Sequence, residues 1–145
     1  MDSINRSALV PYTPHEMFVL VTDVGAYPLF MPWCSGTEVL SHEGDEMVAR
    51  IDFAVASVSK SFTTRNRHQP DAEVSMELVD GPFSQLQGRW QFEALGEQGC
   101  KISLSLEYDF SSKMVGMVVG PVFSQIANSM VDAFQKRAAE VYGQR

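Results

Sequence analysis

A chain of 145 residues, 45 % of them hydrophobic, can bury one sizeable core and is too short for two, so a single domain over residues 1–145 is expected. Its formal net charge of −7 excludes attraction to nucleic acid or an anionic bilayer by bulk charge, so any such contact has to be local. Cys34 and Cys100 lie far apart in no C-x-x-C spacing, and no secretory leader precedes the first strand; reduced thiols and a cytoplasmic protein are the expectation.

From the amino end, Ile4, Arg6, Ala8 and Val10 alternate with polar neighbours, as in an edge strand. Thr13-Pro14-His15-Glu16 combines an N-cap hydroxyl, a proline at the first helical position and a glutamate three residues after the cap, which predicts a helix with a capping box. Met17, Phe18, Leu20, Val21 and Val24 form its buried stripe; Gly25 ends it, and a second short helical turn follows around Ala26 to Phe30. From Gly36 the hydrophobic period becomes two, and about six antiparallel strands follow, with turns such as Glu43-Gly44-Asp45, Pro70-Asp71 and Glu97-Gln98-Gly99. Gly88, among bulky neighbours, marks an expected bend or bulge.

The last stretch, Ser111 to Tyr142, is one long amphipathic helix with Val115, Val118, Val119, Val122, Phe123, Ile126, Met130, Phe134, Ala138 and Val141 on its apolar side. Gly120-Pro121 predicts a kink and a helix of two segments. Its longest apolar run, Met114 to Phe123, is shorter than the ~20 residues of a bilayer crossing, so at most a transient contact with a membrane surface is expected. The order is β-α-α-β-β-β-β-β-β-α, an α+β architecture in which a curved antiparallel sheet wraps the final helix.

The inner rows of this arrangement carry large apolar groups: Phe30, Trp33, Phe53, Phe62, Trp90, Phe92, Tyr108, Phe123 and Phe134 among them. They read either as an ordinary core or as the wall of an apolar pocket, because a sheet curled around a helix of this length does not touch it everywhere. Tyr27 and Trp33, held in a proline-braced loop, would offer polar tips at the mouth of such a pocket. No phosphate-binding loop, dinucleotide fingerprint, nucleophile elbow or zinc-protease motif occurs, and the three histidines are scattered, so neither a metal nor a catalytic apparatus is expected. Cys34 reads as a plain buried thiol. On the outer face, Arg65, Arg67, Arg89 and Lys101 share a mixed-charge surface with several carboxylates and offer a local contact for RNA.

The blocks Tyr27-Pro28-Leu29-Phe30-Met31-Pro32-Trp33-Cys34, Gly81-Pro82-Phe83, Gly88-Arg89-Trp90-Gln91-Phe92 and Met130 to Ala138 resemble the coenzyme-Q-binding protein and bacterial ribosome-association toxin family, within the START-like helix-grip superfamily that also holds polyketide cyclases. The resemblance covers nearly the whole chain. It implies a seven-stranded sheet gripping the last helix and a hydrophobic tunnel for ubiquinone, an isoprenoid or a related lipid, with no cofactor required. Pro32, Trp33 and Cys34 would sit near the tunnel mouth and Phe83, Trp90 and Phe92 on its wall. The ligand tail would pack against Val119, Phe123, Ile126, Met130, Phe92 and Leu104, and Trp33 or Tyr108 would orient its head. For bacterial members the resemblance implies a second role, binding the large ribosomal subunit and blocking its joining to the small one, with Arg65, Arg67, Arg89 and Lys101 as contact residues. The bacterial branch fits a chain read as cytoplasmic, with a peripheral site at the inner membrane as the lipid-carrying variant. Oligomeric state is left open by these motifs.

Overall fold

The computed structural model describes residues 2–145. The first strand, β1 (Asp2–Val10), leads into α1 (Pro14–Thr22), which starts as its sequence dictates: the Thr13 hydroxyl accepts from the Glu16 amide, and the Glu16 carboxylate accepts from the Thr13 amide. A single 3-10 turn, Val24–Ala26, and the four-residue α2 (Tyr27–Phe30) follow. Six strands come next: β2 (Cys34–Glu43), β3 (Glu46–Val55), β4 (Val58–Gln69), β5 (Glu73–Asp80), β6 (Phe83–Leu95) and β7 (Gly99–Phe110). The chain closes with α3 (Lys113–Tyr142), capped by the Ser112 hydroxyl, which accepts from the Val115 amide.

All strands are antiparallel neighbours in the order β1-β7-β6-β5-β4-β3-β2, so β1 and β2 are the two edges and the last strand closes beside the first. This is the helix-grip arrangement, with α3 lying on β1, β7 and β4 and meeting α1. The long β6 pairs with β7 along its whole length but with β5 only over Gln87–Gln91, so the sheet parts beyond Glu77 and curls there. Gly88 stays in register with Leu106 and Met76 and is no bulge; the irregularity in β6 lies at Phe83–Gln85. What Gly88 permits is close approach, because a Cβ there would stand 2.4 Å from both the Ser105 carbonyl and the Leu106 side chain. Edge strand β2 carries two register shifts, at Cys34–Gly36 and Val39–Ser41.

Two expectations for α3 are corrected. The helix is uninterrupted through Pro121, one segment and not two. Pro121 removes only one backbone hydrogen bond, and both it and Met117, whose carbonyl loses its partner, lie on the exposed side, where water can satisfy that oxygen. The buried stripe is also narrower than read: Val118 and Val141 are exposed, while Ala127 and Val131 are buried with Val119, Phe123, Ile126, Phe134 and Ala138. Successive residues stand about 100° apart around a helix, so Val118 leaves the contact line that Val119 occupies. By length and composition α3 is also apolar enough to cross a bilayer, its richest 18-residue window averaging a hydropathy of 1.4. In this fold the same segment is the gripped helix.

The carboxyl end is tied back over α1. Arg145 forms a two-point ion pair with the Glu16 carboxylate at 2.7 and 2.8 Å and lies over the rings of Tyr12 and Tyr142. The Tyr142 hydroxyl donates to the Glu16 carbonyl and Tyr12 to the carbonyl of Gly143. The Arg145 guanidinium and the Thr13 amide hold the Glu16 carboxyl down at about 2, from 4.5. Because the folded value is depressed, its stabilisation is complete above about pH 4.5 and disappears as pH falls toward about 2. Glu16→Gln should therefore cost about 1 kcal/mol at neutral pH, in urea unfolding, with the gap to the native chain closing as the titration proceeds through that window. Phe134→Ala, at a fully buried ring, should cost about 3–5 kcal/mol in the same assay, and Val118→Ala within about 0.5.

Candidate functional site

Inside the grip the rings are in contact with one another. Phe123 of α3 stands 4.9 Å from Phe83 and from Tyr108, 5.9 Å from Phe62 and 6.5 Å from Phe53, centroid to centroid, and Phe83 stacks on Phe110 at 5.1 Å. A second group surrounds Phe134, with Trp90 at 5.2 Å and Tyr27 and Phe30 at 5.6 Å. Phe92 belongs to neither and meets Phe18 of α1 edge-on. The residues expected from sequence to form one tunnel wall are therefore divided between two ring clusters and the underside of α1, with Leu104, Val119 and Ile126 buried and Met130 half-buried. Edge-to-face contact of this kind is the usual way aromatic rings meet inside a protein.

The residues expected at the mouth are partly buried and partly exposed. Tyr27 is buried and its hydroxyl donates to the Val21 carbonyl, so it presents no polar tip; burial raises its ionisation well above the ordinary phenol range. Trp33 is buried, and of the block Pro28-Leu29-Phe30-Met31-Pro32 only Pro28, Leu29 and Pro32 are exposed. The Cys34 thiol donates to the Gly36 carbonyl at 3.5 Å and burial pushes its pKa up, which keeps it protonated and unreactive. Cys100 is likewise buried and raised to about 11.

Two recesses open at the surface. The first is a groove of about 520 Å³ on the outer face of the sheet, where β4, β5, β6 and β7 run side by side. Cross-strand register arranges its residues in two rows: Arg67, Ser75, Arg89 and Ser105 in one, Arg65, Glu77, Gln87 and Glu107 in the next. Arg65 is engaged by Glu46 at 3.0 Å and by Glu77 at 3.6 Å, and Arg67 touches Glu46 only at 4.0 Å. Arg89 has no ion pair among the described residues. The first row thus alternates guanidinium and hydroxyl with no carboxylate in it, a donor-rich strip on an acidic protein. Lys101, the fourth basic residue read from the sequence, pairs with Leu9 and Glu93 farther along β7 and lies outside the groove.

The second recess, about 1130 Å³, separates edge strand β1 and the end of β7 from the first half of α3. It exists because one row of α3, Gly116, Gly120, Ser124 and Asn128, is small or polar at every fourth position. Phe110 packs against the two glycines, whose Cβ positions would be 3.4 and 3.5 Å from its ring. Facing it on β1, Arg6 donates to the Asn128 side-chain oxygen at 2.8 Å. Sequence reasoning places Ser124 and Asn128 on the solvated side of α3; the i, i+4 spacing of the two glycines with them is the signal that points to a recess.

The fold and these surfaces define a class. The chain belongs to the polyketide cyclase / dehydrase and lipid transport family, whose profile matches residues 10–135. By sequence it is similar to the ribosome association toxin RatA of Pseudomonas aeruginosa, 49 % identical over 140 residues and 97 % of each chain. A more distant relative is the mitochondrial coenzyme Q-binding protein COQ10 homolog B of Xenopus laevis, 25 % identical over 97 % of this chain and 59 % of that one. Among solved structures the ZhuI aromatase/cyclase from Streptomyces superposes with a TM-score of 0.87 over 99 % of both chains at 14 % identity, a likeness of fold.

Gly88 borders the outer groove and sets the approach of β6 to β7 beneath it. Gly88→Ala should destabilise the protein by about 1–3 kcal/mol in chemical unfolding, whereas Gly25→Ala, with open space around its Cβ, should stay near the native value.

Proposed function

We propose that this chain binds the large ribosomal subunit and hinders its joining to the small one. The observation that carries this reading is 49 % identity, across 97 % of both chains, to a protein named as a ribosome association toxin. The outer groove supports it with a surface of fitting chemistry. Arg67 and Arg89 can each give two parallel hydrogen bonds to a phosphate, and Ser75 and Ser105 add hydroxyl donors between and beside them. Arg65, bound to two glutamates, contributes less, and Lys101 stands apart. Because the chain is acidic overall, docking on RNA through this strip relies on local contacts and on shape. The place of action is then the cytoplasm, and no catalytic step is required of the protein. Inside the sheet the Thr64 hydroxyl donates to Asn66 at 2.8 Å, a pair of neutral side chains.

A second reading, carriage of ubiquinone or an isoprenoid lipid, is supported by the lipid-transport description of the family and by the name of the Xenopus relative. A prenyl tail running past Phe123 would meet the rings of Phe83 and Tyr108 packed against it. Organic extraction of the purified protein followed by mass spectrometry should then release a prenyl lipid, and a protein that is empty and indifferent to added quinones sinks this second reading.

For the ribosomal reading, overexpression in a bacterial host should deplete joined ribosomes on a sucrose gradient and enlarge the free-subunit peaks, and Arg67→Glu with Arg89→Glu should restore the normal profile. Binding of the purified protein to large subunits should weaken with salt, with a log–log slope of about −1.4 to −1.8 from two phosphate contacts that vanishes in the double variant. Unchanged gradients on overexpression of the native chain would overturn the proposal.

A further inference from the structure

The strip of arginines and serines in the outer groove has acceptors on both sides of it. On β5, alternation puts Glu73, Ser75 and Glu77 on the same outer face, so Ser75, in the middle of the strip, has a glutamate on each side, about 6.8 Å away at 3.4 Å per residue. On β6, Arg89 is flanked in the same way by Gln87 and Gln91. Each of the two glutamates has one partner: Glu73 accepts from the Gln91 amide at 3.4 Å, and Glu77 faces the Arg65 guanidinium at 3.6 Å. One donor apiece leaves most of a carboxylate's acceptor capacity open. A phosphate seated on Arg67 and Arg89 lies between these two anionic side chains, which repel it. The arrangement becomes favourable where the ligand carries hydrogen-bond donors alongside its phosphates.

Ribose supplies that donor. Beside every phosphate of an RNA backbone stands a 2′-hydroxyl, which donates as well as accepts, whereas DNA has nothing to donate at that position. Among the described residues none that lines the groove is aromatic, so the groove has no platform for stacking an unpaired base, the contact on which recognition of single strands relies. Double-helical RNA needs no such platform, because it is bound by its shape and by phosphate and 2′-hydroxyl contacts across a wide, shallow minor groove. Resting on the ribosomal reading and naming the partner within it, we propose that the outer groove holds the backbone of double-helical RNA. Its phosphates lie on Arg67 and Arg89, its 2′-hydroxyls donate to Glu73 and Glu77, and these two glutamates make the site select RNA over DNA.

NMR titration of the native protein at low salt tests the assignment with a short RNA duplex, the DNA duplex of the same sequence, and the same RNA duplex methylated at its 2′-oxygens. The unmodified RNA should bind about tenfold or more tightly than either, the effect of losing hydrogen bonds to a charged acceptor. Methylation blocks donation and keeps the RNA helix form, so it separates the hydroxyl from the shape. One separated RNA strand should bind more weakly than the duplex. Glu73→Ala with Glu77→Ala, neither residue being in the core, should abolish the preference for RNA over DNA, and Arg67→Glu with Arg89→Glu should remove binding of both. Absence of RNA binding, equal binding of DNA or of the methylated duplex by the native chain, tighter binding of the single strand, or a preference that survives loss of both glutamates each overturns the proposal. The sucrose gradient reports separately: depleted joined ribosomes with RNA and DNA bound alike would sink the RNA selectivity and leave the ribosomal reading standing, and unchanged gradients with selective RNA binding would do the reverse.

Discussion

The molecule turns on how closely β6 can approach β7. With no side chain at Gly88, the Ser105 carbonyl and the Leu106 side chain occupy the space a Cβ would need, so β6 and β7 pack closely at that place. Phe83, Tyr108 and Phe110, near the strand ends, meet Phe123 of the helix. The curl of the sheet has an outer consequence. It gathers the odd-numbered residues of four strands into a groove, and it places Arg67 and Arg89 two strands apart, about 9.6 Å at the usual spacing, with Ser75 between them.

Features that arise from short-range chemistry are legible in the amino-acid order alone. The capping box at Thr13–Glu16, the alternating rows of β6 and β7, and the length of α3 are all of this kind, and the folded chain keeps them. The β3–β4 hairpin is harder to read because its turn uses Ala56 in the left-handed region at φ 53°, with neither glycine nor asparagine to announce it. Burial on α3 is misjudged at Val118 and Val141 because hydrophobicity does not say how wide a stripe a curved sheet can cover. Ala127 escapes for the opposite reason, being small enough to look neutral and yet buried.

The candidate sites illustrate the same division. Aromatic content announces the interior, but whether rings interlock or line a tunnel depends on their mutual angles, which no spacing encodes. Arg65, Arg67 and Arg89 are found because alternation fixes which face of a strand a residue takes; that Arg65 is held by Glu46 and Glu77 while Arg89 has no ion pair among the described residues depends on cross-strand register. Arg6 sits plainly in the alternation of β1, and its hydrogen bond to Asn128 emerges only once β1 proves to be the strand opposite the small-residue row of α3.

The other sheet edge invites a different thought. Strand β2 ends the sheet with one side of its backbone unpaired and with Val39 and Leu40 exposed, a combination that could template the addition of a second copy. Its two register shifts break the even ladder of amide and carbonyl groups that such templating needs, at Cys34–Gly36 and again at Val39–Ser41. The border of the sheet thereby lacks the even ladder that fibril-like self-association uses, and straightening that strand would restore it.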